Sequence, residues 1–118
     1  MSNRLKIGIT QGDTNGVGWE IILKIFSDNR LVELFTPMIY GSPVAAAHYQ
    51  KVVVEQGYEA VRLHNIERAE RAQAGRVNLV EVGIKDLSIT PGKPSKAGGE
   101  AAAAALRSAI EDLKDGRI

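Results

Sequence analysis

Gly12, Asp13, Asn15, Gly16 and Gly18 fall within one short stretch, G-D-T-N-G-V-G-W-E over residues 12–20, between two apolar runs. Glycines let a backbone turn sharply and let another molecule approach it closely, and a helix start presents unpaired N–H groups to negative charge. The chemistry this composition suits is capture of a phosphate or a carboxylate. The spacing is G-x-x-x-G-x-G, which is neither the G-x-G-x-x-G of dinucleotide loops nor the G-x-x-x-x-G-K-[ST] of P-loops. Spacing alone therefore leaves a second reading open, a strand-to-helix turn whose glycines serve packing. Asp13 can likewise serve the turn itself by accepting from nearby backbone N–H groups.

Other reactive side chains are sparse. The two histidines, His48 and His64, lie on an expected helix and at an expected strand end, without the paired spacing of metal ligands, and read as structural. Cysteine is absent, which excludes disulfides and thiolate metal sites, and there is no G-x-S-x-G nucleophile elbow. No catalytic and no metal-binding residue is assigned.

The elements that must hold the loop follow from hydrophobic periodicity. Strands are expected at 5–10, 38–40, 61–64 and 77–82, the first of them buried. A helix over 21–26 follows the glycine loop, and one or two further turns follow at 31–35. Pro37 stands just before the second strand and Gly41 stops it. Ser42 caps a helix with Pro43 at its first position, running over 44–56 to Gly57. Residues 66–72 read as a solvated helical turn, and 83–94 as a loop broken by Pro91, Gly92 and Pro94. Ser95 caps a last helix over 96–114 that closes at Gly116. On it Ala102, Leu106, Ala109, Ile110 and Leu113 share a face, and the alanines of 101–105 permit close packing. Strands alternating with helices give an α/β fold, a mainly parallel sheet flanked by helices in three layers.

The composition is that of an ordinary soluble domain: 118 residues, 44% apolar and 25% charged. Fifteen basic against fourteen acidic residues leave +1, with no electrostatic footprint for nucleic acid or an anionic membrane. No apolar run approaches a bilayer span. The lack of a basic-then-apolar leader leads to the expectation of a cytoplasmic protein.

The stretch from Ile9 to Ile21 resembles the N-terminal signature of the 4-hydroxythreonine-4-phosphate dehydrogenase family, usually G-D-P-A-G-I-G-P-E. Three further segments fall in that family's order: F-T-P-M-I-Y-G-S-P at 35–43, P-G-K-P-S at 91–95 and A-G-G-E-A-A at 97–102. Thr14, Asn15 and Trp19 stand where the family has Pro, Ala and Pro. The resemblance spans essentially the whole chain and implies a partial isopropylmalate-dehydrogenase-like fold, related to that of isocitrate dehydrogenase. It implies oxidation of 4-phosphooxy-L-threonine with NAD or NADP, followed by metal-assisted loss of the carboxyl carbon, in the pathway to pyridoxal phosphate. Asp13, Asn15, Gly16 and Gly18 become the candidate cofactor-binding residues. The divalent metal of that family is held by histidines well downstream, which this sequence does not contain.

Residues 1–118 then read as the N-terminal part of a dehydrogenase, a truncated one, because an α/β helix should return to a strand and only Arg117 and Ile118 follow Gly116. The resemblance further implies a small phosphorylated hydroxy-acid substrate and a homodimer at full length. The competing expectation, from the strand pattern alone, is a small flavodoxin-like domain that binds an anion or nucleotide without catalysis.

Overall fold

The computed structural model describes residues 5–83 and 88–118. Its elements, in chain order, are β1 (Lys6–Thr10), α1 (Gly18–Phe26), a 3-10 turn at Leu31–Glu33, β2 (Thr36–Gly41), α2 (Pro43–Glu55), β3 (Leu63–Ile66), a 3-10 turn at Ala69–Arg71, β4 (Val77–Glu81) and α3 (Lys96–Lys114). The four strands form one parallel sheet in the order β1-β2-β4-β3. A flavodoxin-like sheet would place β1 inside, between β2 and β3. Here β2 lies between β1 and β4, and among the described strands β1 pairs with β2 alone, so the topology sets the flavodoxin-like alternative aside.

Alternation along the two central strands sorts their side chains between the layers. Ile39 and Leu79 pack with Trp19, Leu23, Tyr49 and Val53 beneath α1 and α2, whereas Met38, Tyr40 and Val80 pack with Ala69, Ala105 and Ala109 beneath α3. Both faces of β2 and β4 are covered, as a parallel sheet requires. The expected three-layer α/β arrangement is the observed one.

α2 begins where the sequence indicates, with Pro43 at its first position and the Ser42 hydroxyl accepting from Val44 N and Ala45 N. α3 is capped by the Ser95 hydroxyl, which accepts from Gly98 N. Its buried stripe is Gly98, Ala101, Ala105 and Ala109, residues small enough to bring its axis close to the sheet. Leu106, Ile110 and Leu113 are left exposed. Of the face expected from Ala102, Leu106, Ala109, Ile110 and Leu113, only Ala109 is buried, and the helix turns its small residues rather than its large ones to the sheet.

Three expectations need correction. β1 was expected to be buried, yet its first three residues are exposed, because β2 pairs along one edge and no described strand pairs along the other. β3 lies two residues later than the periodicity places it: Asn65 and Ile66 continue the ladder opposite Leu79 and Val80, and Ile66 is buried rather than part of a solvated turn. β2 starts at Thr36 and so includes Pro37, whose carbonyl accepts from the buried Asn78 side chain. Residues 84–87 of the expected 83–94 loop lie outside the described residues.

Candidate functional site

The C-terminal ends of the strands share one edge of the sheet, and ligands of open α/β sheets bind outside that edge. The loop after β1 lies there. Gln11 N still donates to Tyr40 O at 3.1 Å, and Gly12 then turns the chain with φ 71°, a left-handed conformation that glycine adopts without strain. Asp13 closes the turn on itself. Its Oδ1 accepts from Asn15 N at 2.8 Å and its carbonyl accepts from Gly16 N at 3.0 Å.

The residue that fixes this loop to the rest of the molecule is Gln11, which the motif reading passed over. Its buried side chain meets three elements at once: Oε1 accepts from Trp19 Nε1 at 2.9 Å and from Ser42 N at 2.8 Å, and Nε2 donates to Ala101 O at 3.2 Å. These bonds tie the starts of α1, α2 and α3 to the end of β1. Gly41 makes room for them; a Cβ there would lie 2.8 Å from both Gln11 Oε1 and Trp19 Cζ2. A signal for Gln11 was available in the sequence, since a core indole needs an acceptor for its N–H.

Of the four candidate cofactor-binding residues, Asp13 and Gly16 present themselves at the surface. Gly18 opens α1 against the backbone of Gln11, where an added Cβ would come within 2.6 Å of the carbonyl oxygen. Asn15 is buried, and its side-chain oxygen and nitrogen are both bonded. Its Nδ2 donates to Ser95 Oγ at 2.9 Å, its Oδ1 accepts from Thr90 N at 2.7 Å, and its carbonyl accepts from Gly92 N at 2.8 Å. The side chain that stands where the family has alanine thus clamps the 88–95 segment across the glycine loop. Gly98 completes the fit, because a Cβ there would meet Asp13 Oδ1 at 2.5 Å.

The outer surface left by this bracing includes the uncapped start of α1. α1 has no side-chain cap at Val17, and its first N–H to find a helical acceptor is that of Ile21, bonded to Val17 O. The N–H groups of the first turn lie beside exposed Gly16 and Val17. Burial, with the charges of Glu20 and Asp13 nearby, raises the Tyr49 hydroxyl above its ordinary pKa. It stays protonated and donates to Thr14 O at 2.6 Å, supporting the loop from below.

Thr14 carries the one orphan among the described buried side chains, a hydroxyl without a hydrogen-bond partner. Replacing it with an isosteric apolar side chain removes that desolvation cost. Thr14→Val is expected to stabilise the chain by about 1 kcal/mol in urea unfolding. A loss of stability would instead show that the hydroxyl has a partner in solution.

The histidines are not brought together. His48 on α2 packs edge-on against Tyr49 at 4.8 Å, and His64 lies on β3, the far edge strand. Among the described residues no group of three or more His, Cys, Asp or Glu is placed to hold a metal ion. A cavity of about 650 Å³ is lined by residues including Phe26, Glu59, Arg62 and Arg76. It opens where the strands begin, at the edge opposite the glycine loop.

No family model matches the chain. Over 98% of its length it is 41% identical to the 4-hydroxythreonine-4-phosphate dehydrogenase of Bacteroides thetaiotaomicron, of which it covers 31%. The enzyme of the same name from Aquifex aeolicus is 35% identical over 96% of the chain, which covers 33% of it. In three dimensions, 99% of the chain superposes with a TM-score of 0.82 and 25% identity on a crystal structure of a 4-hydroxythreonine-4-phosphate dehydrogenase from Burkholderia phymatum, covering 35% of that chain. The chain spans about a third of the length of these relatives.

Proposed function

We infer that this chain, which fits an N-terminal portion of the 4-hydroxythreonine-4-phosphate dehydrogenase family, supplies one wall of the cleft in which such an enzyme works. In the whole protein that work is the NAD- or NADP-dependent oxidation of a small phosphorylated hydroxy acid, 4-phosphooxy-L-threonine, in pyridoxal phosphate biosynthesis. The whole enzyme is proposed to be a cytoplasmic homodimer. One observation carries the role of this segment: a glycine loop at the C-terminal edge of a parallel sheet, braced on its inner side by Gln11 and Asn15 and bare on its outer side at Gly12, Asp13 and Gly16.

The residues present fit a phosphate better than a metal. The α1 first-turn N–H groups beside Gly16 and Gly18 would hold a phosphoryl group of the nucleotide or of the substrate, by hydrogen bonds and by the helix dipole. Asp13 holds the turn in the shape that exposes them. The nicotinamide, when bound, accepts hydride. A divalent metal finds no donor set among the described residues, so no step through it is assigned to them.

Gly16 provides the test, because it has room. A Cβ there meets nothing nearer than Asp13 O at 3.4 Å, an ordinary contact, so a substituted protein should fold. A valine at the equivalent glycine of a full-length relative is expected to weaken nucleotide or substrate binding roughly tenfold, about 1.4 kcal/mol, with the melting temperature little changed. Unchanged affinity in a folded Gly16→Val protein would remove the loop from the binding surface.

A further inference from the structure

We propose that Asn15-Gly16 is a self-modifying site: when the 88–95 segment lifts from the glycine loop, the Gly16 nitrogen attacks the Asn15 side-chain amide and turns it into a carboxylate. This goes beyond the cleft function, and neither the site nor its test depends on that reading.

The sequence supplies the reacting pair once. Of the five asparagines, Asn15 alone is followed by glycine. A glycine on that side has no Cβ to hinder closure of a five-membered ring between its nitrogen and the amide carbon. The pair exists because Asn15 stands where the 4-hydroxythreonine-4-phosphate dehydrogenase signature has alanine. The glycine is the family's, and the asparagine is this chain's own.

In the folded chain both reactants are occupied. Gly16 N donates to Asp13 O at 3.0 Å. Asn15 is 4% exposed, with Oδ1 accepting from Thr90 N at 2.7 Å and Nδ2 donating to Ser95 Oγ at 2.9 Å. Closing the ring requires these bonds to break.

The guard is lightly fastened. Residues 90–96 are all exposed. Thr90 to Lys93 form a turn closed by Lys93 N donating to Thr90 O at 3.1 Å, with Pro91 at its second position and Gly92, at φ 79°, in its third. Beyond the two side-chain bonds, Gly92 N donates to Asn15 O at 2.8 Å, and Ile89 is partly buried against the core. Segments with few buried apolar contacts open at the low end of a protein's range of stabilities. All three bonds end on Asn15, so a single opening frees its amide and admits water.

The step needs no reagent but water. As Gly16 N bonds to Asn15 Cγ it gives up its proton, the Cγ–Nδ2 bond breaks, and Nδ2 takes up a proton and leaves as ammonia. Water then opens the cyclic imide at either carbonyl. One product is aspartate; the other is iso-aspartate, whose main chain runs through the former side chain and lengthens the loop. Either adds a negative charge beside Asp13.

The test is peptide mapping by mass spectrometry of the 118-residue chain incubated at neutral pH, folded and in urea. Conversion of amide to acid is expected at Asn15, more slowly in the folded chain than in urea. Ser95→Gly removes the Oγ partner while leaving a tolerated helix cap, and should speed conversion about fivefold in the folded chain, the effect of one ordinary hydrogen bond on the opening equilibrium. If circular dichroism shows that variant to lose helix, Gly92→Ala, which strains the turn at φ 79°, loosens the segment without touching the cap. Gly16→Ala, whose Cβ meets nothing nearer than 3.4 Å, should suppress conversion in both conditions. Conversion in the folded chain as fast as in urea overturns the proposal. So does an unconverted Asn15 in the folded chain, conversion at another asparagine instead, or the absence of acceleration in a folded variant with a loosened segment.

Discussion

Replacing Gln11 with leucine is expected to lower the unfolding free energy by about 4 kcal/mol. The volume is nearly kept, so the loss comes from three polar groups whose partner disappears: Trp19 Nε1–H, Ser42 N–H and Ala101 C=O. Each buried group left unsatisfied costs about 1–3 kcal/mol, and partial relaxation keeps the total below the sum of the maxima. Domains of this size hold roughly 5–15 kcal/mol in all, so the variant should be close to unfolding at 37 °C. Urea titration followed by circular dichroism and by fluorescence of Trp19, the only tryptophan, measures the change. A loss below about 1 kcal/mol would show that water enters and satisfies the three groups.

The chain by itself is expected to show no dehydrogenase turnover with NAD or NADP, a divalent metal and 4-phosphooxy-L-threonine supplied. Its loop is proposed to hold a phosphate, but hydride transfer also needs donor and acceptor fixed in contact, and such positioning contributes factors of about 10⁵–10⁸ in effective molarity. About two-thirds of the length of the relatives has no counterpart here, and His48 and His64 stand on separate elements without partners at metal-ligand spacing. The assay is NAD(P)H absorbance against a full-length relative in parallel. Metal-dependent turnover comparable to the relative's would mean that residues treated above as bracing carry the chemistry.

Much of the fold was legible because the strongest local signals were also the ones that tertiary contacts respect. Ser42-Pro43 and Ser95 cap their helices as their types require, and the alternation through Met38, Ile39 and Tyr40 matches a strand covered on both faces. What escaped was set by pairing. Nothing local distinguishes Val61 from Ile66 as strand or loop; the ladder with β4 chooses the later register. Nothing local says that β1 has a single neighbour among the described strands. In the site, the motif located the loop but not its construction. Asn15 was selected as a possible ligand-facing polar residue, and its side chain is spent instead on Ser95 and Thr90, eighty and seventy-five residues away. Gln11 lies at the end of a strand and has no motif of its own, so its three partners appear only when α1, α2 and α3 are assembled around it.

The distances along the chain between these partners have a consequence for the order in which the molecule is made. Gln11 waits for Ala101, ninety residues later, and Asn15 for Thr90 and Ser95. The four described strands are complete by Glu81, so a chain emerging from the ribosome can assemble its sheet while the glycine loop still lacks its bonds to Thr90, Ser95 and Ala101. Long-range closures repay their entropy only when both ends exist. The part of the sequence synthesised first therefore gains its long-range partners last, and in a nascent or clipped chain that lacks α3 the glycine loop is without the bonds that Ser95 and Ala101 supply.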